Sequence, residues 1–434
     1  MTISSSLNAG VAGLTANANR LASISDNIAN SATYGYKRAE TDFFSVVTGG
    51  ANKSAYTAGG VRTTSMRLIE ERGSLISTSN ATDIAINGQG FFPVTTVSAL
   101  NSGGGNYPVL LATTGSFYPD ANGILRTATG EVLMGWPANA DGTISNFSRD
   151  SLSALAPVNV TANQYVANPT TQISISANLP ATATEAGATT DPVVVPVEYY
   201  GNLGTSGTLT VTFTPTVPAT GSSNSWTMTV TDSAQGGATV GEYELVFDDT
   251  QTAGGRLLSV TTVSGGTYDP ATGSVDLTLA GGTVSLAIGT PGGTEGMTQL
   301  SDSYYPGTVT KNGSEVGTLV SVEFDESGKL YAVYDSGFTR AIWQVPVVDV
   351  ANPNGLVASS NQTYQMSSSS GSYYLWDAGT GPTGTISGYT REESATDVAT
   401  ELTQLIQTQR AYSSNAKVIQ TVDEMLQETT NLKR

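Results

Sequence analysis

The sequence predicts a mainly β protein with α-helical termini: coiled-coil-like paired end helices at one pole, with nested antiparallel β domains outward. Three observations predict it. Apolar residues recur at steps of four and three at both ends, but at alternate positions through the middle. All 17 prolines lie between Pro93 and Pro382. The formal charge of −18 also sits there: residues 1–72 carry seven basic and five acidic side chains, residues 391–434 five and seven, so the ends cancel.

At the N-terminus Leu7, Val11, Leu14, Ala18, Leu21, Ser25 and Ile28 form a heptad seam with one polar interruption. Ser4, Ser5 and Ser6 offer N-caps, and Gly35 stands beyond a plausible stop. Gly10 and Gly13 each weaken the helix by roughly 1 kcal/mol relative to Ala. The segment 36–72 leans basic, carries Gly49-Gly50 and Gly59-Gly60 and lacks proline. It reads as an extended hairpin able to lie against an acidic neighbour, or as a flexible linker.

The middle alternates. Thr208-Leu209-Thr210-Val211-Thr212-Phe213, Trp226-Thr227-Met228-Thr229-Val230 and Tyr243-Glu244-Leu245-Val246-Phe247 are the clearest strands, and 257–263, 275–279 and 284–288 add short ones. Short strands at roughly ten-residue spacing indicate an antiparallel sandwich or barrel. This unit is expected at 146–300, inserted into a β domain built from 73–145 and 301–357. Residues 33–72 and 358–391 then connect to a terminal helical assembly domain of 1–32 and 392–434. In that last segment Val398, Leu402, Leu405, Gln409, Tyr412, Ala416 and Ile419 repeat the heptad steps, Val422 and Leu426 continue the face, and 391–434 contains neither Gly nor Pro.

One amphipathic helix at each end cannot bury its own stripe, and isolated helices are marginal in water. The stripes must meet each other, another copy of the chain, or a partner.

Composition excludes much chemistry. The chain has no His and no Cys, which removes Ser-His-Asp triads, imidazole bases, His-ligated zinc, thiolates and iron–sulfur clusters. Its acidity argues against nucleic acid, and no apolar run approaches the roughly 18–20 residues of a membrane helix. The opening residues lack the basic-then-apolar pattern of a cleavable secretory signal. Asp120-Ala121-Asn122-Gly123, Asp141-Gly142 and Asp325-Glu326-Ser327-Gly328 resemble calcium loops but lack the full ligand spacing, and they read better as hairpin turns. Asp248-Asp249 points to opposite faces of a strand and makes a poor acid/base pair. Gly103-Gly104-Gly105 lacks phosphate-loop spacing. The dispersed Trp136, Trp226, Trp343 and Trp376 read as packing rather than a carbohydrate platform. No catalytic, cofactor or metal site emerges.

The strings themselves carry a resemblance. Ser25-Asp26-Asn27-Ile28-Ala29-Asn30 followed by Gly35-Tyr36-Lys37 resembles the N-terminal signature of the bacterial flagellar basal-body rod and hook axial proteins. Matching pieces follow in that family's order: Gly73-Ser74-Leu75, Asp83 through Asn87-Gly88-Gln89-Gly90-Phe91-Phe92, Gly115-Ser116-Phe117, Gly135-Trp136, Asn352-Pro353-Asn354-Gly355-Leu356 and Ile386-Ser387-Gly388. Glu401-Leu402 through Gln409-Arg410-Ala411-Tyr412 to Asp423-Glu424-Met425-Leu426 resembles its C-terminal helix. The helix opens Ser394-Ala395-Thr396-Asp397 where the family more often shows Ser-Asn-Val-Asp.

A chain this long, with about 150 residues inserted, resembles the hook-type rather than the shorter rod-type members. The resemblance implies a structural subunit of a helical homopolymer, a curved tube coupling rod to filament. Its partners would be the rod, hook cap and hook–filament junction proteins. It also implies unfolded passage through the flagellar type III export apparatus to the cell exterior. The seams Leu7, Val11, Leu14, Leu21 and Ile28, and Leu402, Leu405, Tyr412, Ile419 and Leu426, would then pair within a subunit and against neighbours. The alternatives are a distal rod or junction protein and, from another class, a non-polymerising adhesin or glycan-binding protein.

Overall fold

A computed structural model describes residues 3–47, 58–102 and 107–431, with side chains from Ser5 onward. Gly49, Gly50 and Gly103-Gly104-Gly105 lie outside the described residues. The chain forms two compact units: Met1–Asn163 with Ser321–Val333 and Thr339–Arg434, and Gln164–Val320 with Tyr334–Phe338.

The first unit joins helices to β structure. Ile3–Ala29 and Val398–Asn431 are its long helices. Its largest sheet runs Lys329–Tyr334, Thr339–Gln344, Glu131–Pro137, Phe92–Thr96, Leu110–Ala112, Tyr364–Gln365, Val357–Ala358. Three smaller ladders bring distant segments together: Val347–Val350 with Tyr373–Trp376, Leu75–Ser77 with Thr390–Glu392, and Thr385–Gly388 with Asp83–Asn87 and Thr114–Ser116. Phe91, Leu111, Met134, Trp136, Val348, Leu356, Tyr364 and Leu375 share one core.

The second unit is a sandwich. Thr-rich alternation gives a five-stranded antiparallel sheet ordered Val193–Tyr200, Ser206–Pro215, Ser225–Asp232, Ala238–Phe247, Leu257–Ser264. Its inward residues Leu209, Val211, Phe213, Trp226, Met228, Tyr243 and Leu245 are fully buried against Ile175, Val275, Leu277 and Leu286 of a second sheet. That second sheet is mixed, which the expected antiparallel pattern does not provide for. Gln172, Ile173 and Ser174 run parallel to Ser285, Leu286 and Ala287. A parallel pair needs a long crossover, and here the whole five-stranded excursion supplies it.

The boundaries differ from those expected. The second unit begins at Gln164 rather than 146, because Phe147 stacks on Trp136 (centroids 5.6 Å apart) and Leu155 belongs to the first core. It ends at Val320 rather than 300, because Tyr305–Lys311 pairs antiparallel with Gln172–Leu179. Residues 358–391 are no mere connector: Tyr364, Leu375 and Ile386 are buried in the first unit.

Candidate assembly site at the terminal helices

The helices, about 40 and 51 Å long at 1.5 Å per residue, pack antiparallel. Asp397 caps the second, its Oδ1 accepting from the Ala399 and Thr400 N–H groups at 2.8 and 3.2 Å. Gly10 faces Ile419 and Gly13 faces Asn415, where an added Cβ would lie 3.0 and 2.9 Å from the opposing side chains. Asn27 at one end meets Glu401.

The face of the first helix that buries its side chains therefore runs Ser5, Gly10, Gly13, Ala16, Asn17, Ile24, Asn27. This corrects one expectation. The seam Leu7, Val11, Leu14, Leu21, Ile28 does not form the centre of the intrachain contact: Val11 is 49% exposed and the other four are half-buried. The cause is geometric. Small residues let the backbones approach, and interaxial distance follows the side chains at the contact, so the partner helix takes the small-residue face and leaves the bulky seam at its flank. On the second helix Leu405 and Ile419 are half-buried, whereas Leu402, Tyr412 and Leu426 are exposed.

A hairpin covers a further flank of the first helix. Ala39–Ser45 pairs with Val61–Arg67, and a hydroxyl and amide zipper ties it down: Ser23 Oγ to Thr41 Oγ1 at 2.7 Å, Thr41 to Ser65 at 2.8 Å, and Asn19 Nδ2 donating to Thr63 at 3.0 Å. Phe44, Val46 and Met66 remain exposed on it.

Below the helix pair lies a buried polar node. Lys37 and Glu392 are 0% and 1% exposed and form an ion pair of 2.6 Å. Lys37 Nζ also donates to the Glu71 carbonyl at 2.6 Å, and the Gly73 N–H donates to Glu392 Oε1 at 2.9 Å. Arg72 sits 3.9 Å from the other Glu392 oxygen, donates to the Gly90 carbonyl at 2.8 Å and lies over the Phe91 ring. Burial holds the Lys37 ammonium down to about 8 against an ordinary 10.5, with Glu392 opposing the shift. Burial, then the hydrogen bond to Asp26, pushes the Tyr36 phenol up to about 12.

Of the motif residues, Gly35, Lys37, Gly90 and Phe91 contact this node. Asn27 donates to the Ala39 carbonyl and to Glu401 Oε1 at 2.9 and 3.1 Å, and accepts from the Ala39 N–H at 2.7 Å. Ile28 and Ala29 end the helix, and Asn30 Nδ2 donates back to the Asp26 carbonyl at 2.9 Å. Gly35 has φ +69° and its N–H donates to the Glu392 carbonyl at 2.8 Å. Gly90 has φ +116°, and an added Cβ would stand 2.1 Å from Val347. Asn87 and Gly88 turn the chain out of a strand, and Phe91 and Phe92 are fully buried beyond it. Glu392, Glu401, Arg38 and Arg72 join the site although they are not among the expected site residues. The sequence signals are charge placed beside the motifs in a chain with only 12% charged residues and, for Glu401, its place at the start of the C-terminal motif string.

The acidic turns are turns. Asp120 Oδ1 accepts from the Asn122 and Ile124 N–H groups, Asp141 Oδ1 from Thr143 and Asp325 Oδ1 from Lys329, all at 2.8–3.0 Å. Trp136 and Trp226 are fully buried.

The family profile described as flagellar basal body rod FlgEFG protein, C-terminal, matches residues 386–432, which span the last strands and the C-terminal helix. The flagellar hook protein FlgE of Brucella suis is 34% identical over 435 residues, covering all of both chains. The chain belongs to the flagellar hook protein family. Hook proteins of Rhizobium meliloti (32% over 440 residues, all of both chains) and Salmonella typhimurium (28% over 439 residues, 99% of this chain and 100% of that one) are similar along the same length. The solved hook protein FlgE2 of Helicobacter pylori is 12% identical, with a TM-score of 0.44 over 72% of this chain and 98% of that chain. The full-length relatives span both units, so the second unit is part of what this hook family member shares with them.

Proposed function

We propose that this hook-family subunit polymerises helically into a curved, flexible tube coupling torque from the rod to the filament. The terminal helices form its inner wall and the β units lie outward. One observation carries the reading. The two helices meet largely through small and polar residues, with Ile24 and Val422 buried, and leave many of their bulky apolar residues outside, with Val11 49%, Leu402 47% and Ile406 50% exposed. Burying an apolar side chain yields about 1.5–3 kcal/mol, and copies of the same chain supply the cover, seam against seam. The subunit works as structure and not as a catalyst. It meets rod, hook cap and hook–filament junction proteins at the ends of the polymer. It is exported unfolded through the flagellar type III apparatus to the exterior. The outward residues Phe44, Val46 and Met66 of the hairpin make a further contact with a neighbouring copy.

The test is electron microscopy after salting out the full chain and a chain lacking residues 1–32 and 392–434. Curved or straightening tubes from the full chain alone are expected. Straight rigid rods would move the reading to a distal rod or junction protein. A soluble monomer that binds glycan would favour an adhesin.

A further inference from the structure

The contact between the terminal helices rests mainly on small and polar residues. Ile24 of the first helix and Val422 of the second are buried large apolar side chains, while Gly10, Gly13, Ala16 and Asn17 offer a shallow small-residue face on which Ile419 and Asn415 lie. Sliding one helix by a turn, about 5.4 Å, would bring similar small residues under the same partner. A buried polar pair behaves differently, because slippage leaves a donor or acceptor unpaired at a cost of about 1–3 kcal/mol. Such pairs are best attested as devices that fix register.

Glu401 is placed for that role. It lies in the first turn of the C-terminal helix and is 2% exposed. Its Oε1 accepts from Asn27 Nδ2 at 3.1 Å, across 374 residues of sequence, and sits 3.5 Å from Arg38 Nη1. Asn27 is held immobile by its two hydrogen bonds to Ala39 and by the Tyr36 hydroxyl at 3.1 Å. Arg38 is fixed by Glu71 at 2.8 Å and Glu40 at 3.1 Å. Meanwhile Glu401 Oε2 has no hydrogen-bond partner. A buried carboxylate with one oxygen unused is a poor choice for stability alone.

We propose that Glu401 is a positioning residue: by docking on the preassembled Asn27–Ala39–Tyr36 corner it sets the register of the helix pair that enters the polymer. The proposal rests on assembly through these helices. With Glu401 in place one register is populated; without it registers one turn apart compete.

The chain has no Cys, so two engineered cysteines carry spin labels cleanly. Asn8→Cys and Gln407→Cys are exposed and lie at different levels along the antiparallel pair, so a slip changes their separation. Labelled chains are diluted into excess unlabelled full-length chain, salted out, and read by double electron–electron resonance. The labelled parent should give one distance. Glu401→Leu, and Glu401→Ala as a variant free of overpacking, should add a second population shifted by about 5 Å. Glu401→Gln, which keeps an acceptor for Asn27, should restore the single distance.

A single parental distance in both the Leu and Ala variants would overturn the proposal. So would slippage in the Gln variant, which would give the register to the Arg38 charge contact instead. If the parent chain forms no polymer, the assembly reading itself fails, and that result is distinct from either.

Discussion

At the residue scale the Lys37–Glu392 pair dominates. Removing one partner of a buried ion pair leaves the other charge unpaired and costs about 3–5 kcal/mol, whereas replacing both with apolar residues is often close to neutral. Lys37→Met should therefore unfold at much lower urea than the parent, and Lys37→Met with Glu392→Leu should recover most of the loss. Urea titrations of the four proteins in this cycle measure the coupling. The pH dependence has a definite sign. Lys37 titrates near 8 in the fold and near 10.5 unfolded, so between those values the unfolded chain holds the extra proton. Its contribution to stability is then complete above 10.5 and lost as pH falls to 8. Tyr36 acts oppositely: raised from 10.0 to about 12, it stays protonated in the fold while the unfolded phenol ionises, so stability falls across that window. Subtracting the pH–stability curve of Lys37→Met from the parent's should leave a rise from pH 8 to 10.5. Subtracting that of Tyr36→Phe should leave a fall from 10 to 12. The strings around Asn27, Gly35 and Lys37 were legible in the sequence as a family signature. Their partners were not, because Glu392 lies 355 residues from Lys37 and no local period signals a contact of that separation.

At the scale of the element, the helices show what periodicity can and cannot say. The four-and-three spacing located both helices and the uninterrupted run from Val398 onward. It did not say which face each helix turns to the other, since apolar period marks a face that wants cover without naming the cover. The small residues that decide the intrachain contact looked in the sequence like weaknesses. Two predictions separate fold from assembly. Asp397→Ala removes the cap that accepts from Ala399 and Thr400 and should cost about 1 kcal/mol, lowering the monomer's melting temperature. Val11→Ser with Leu402→Ser alters side chains that are 49% and 47% exposed, so the melt should move little. Sedimentation after salting out should nevertheless show that polymer yield collapses. A variant that polymerises as the parent does would place the inter-subunit contact elsewhere.

At the scale of the molecule, charge and connectivity separate the two units. The second unit carries Arg256 and Lys311 against fourteen carboxylates, so about two thirds of the net −18 belongs to it. Polymerised copies bring these acidic units near one another, where repulsion falls off over a Debye length of about 8–10 Å at physiological salt. Polymers should therefore bend more easily as salt rises from about 20 to 500 mM, measured as persistence length in micrographs. The unit is also an insertion whose own ends meet: the Leu319 N–H donates to the Gln164 carbonyl at 2.9 Å, and Tyr165 pairs with Thr318. Antiparallel partners stand about 4.5–5.5 Å apart, a gap that a two-residue turn spans. Replacing 164–320 by Asn-Gly should thus leave the first unit folded, because its core and the Lys37 node use no residue from the second. The shortened chain should unfold cooperatively and still form tubes through its helices, with a stiffness that no longer depends on salt. Retained salt dependence would assign the electrostatic share to the first unit, and loss of polymer would show that the second unit holds the tube together.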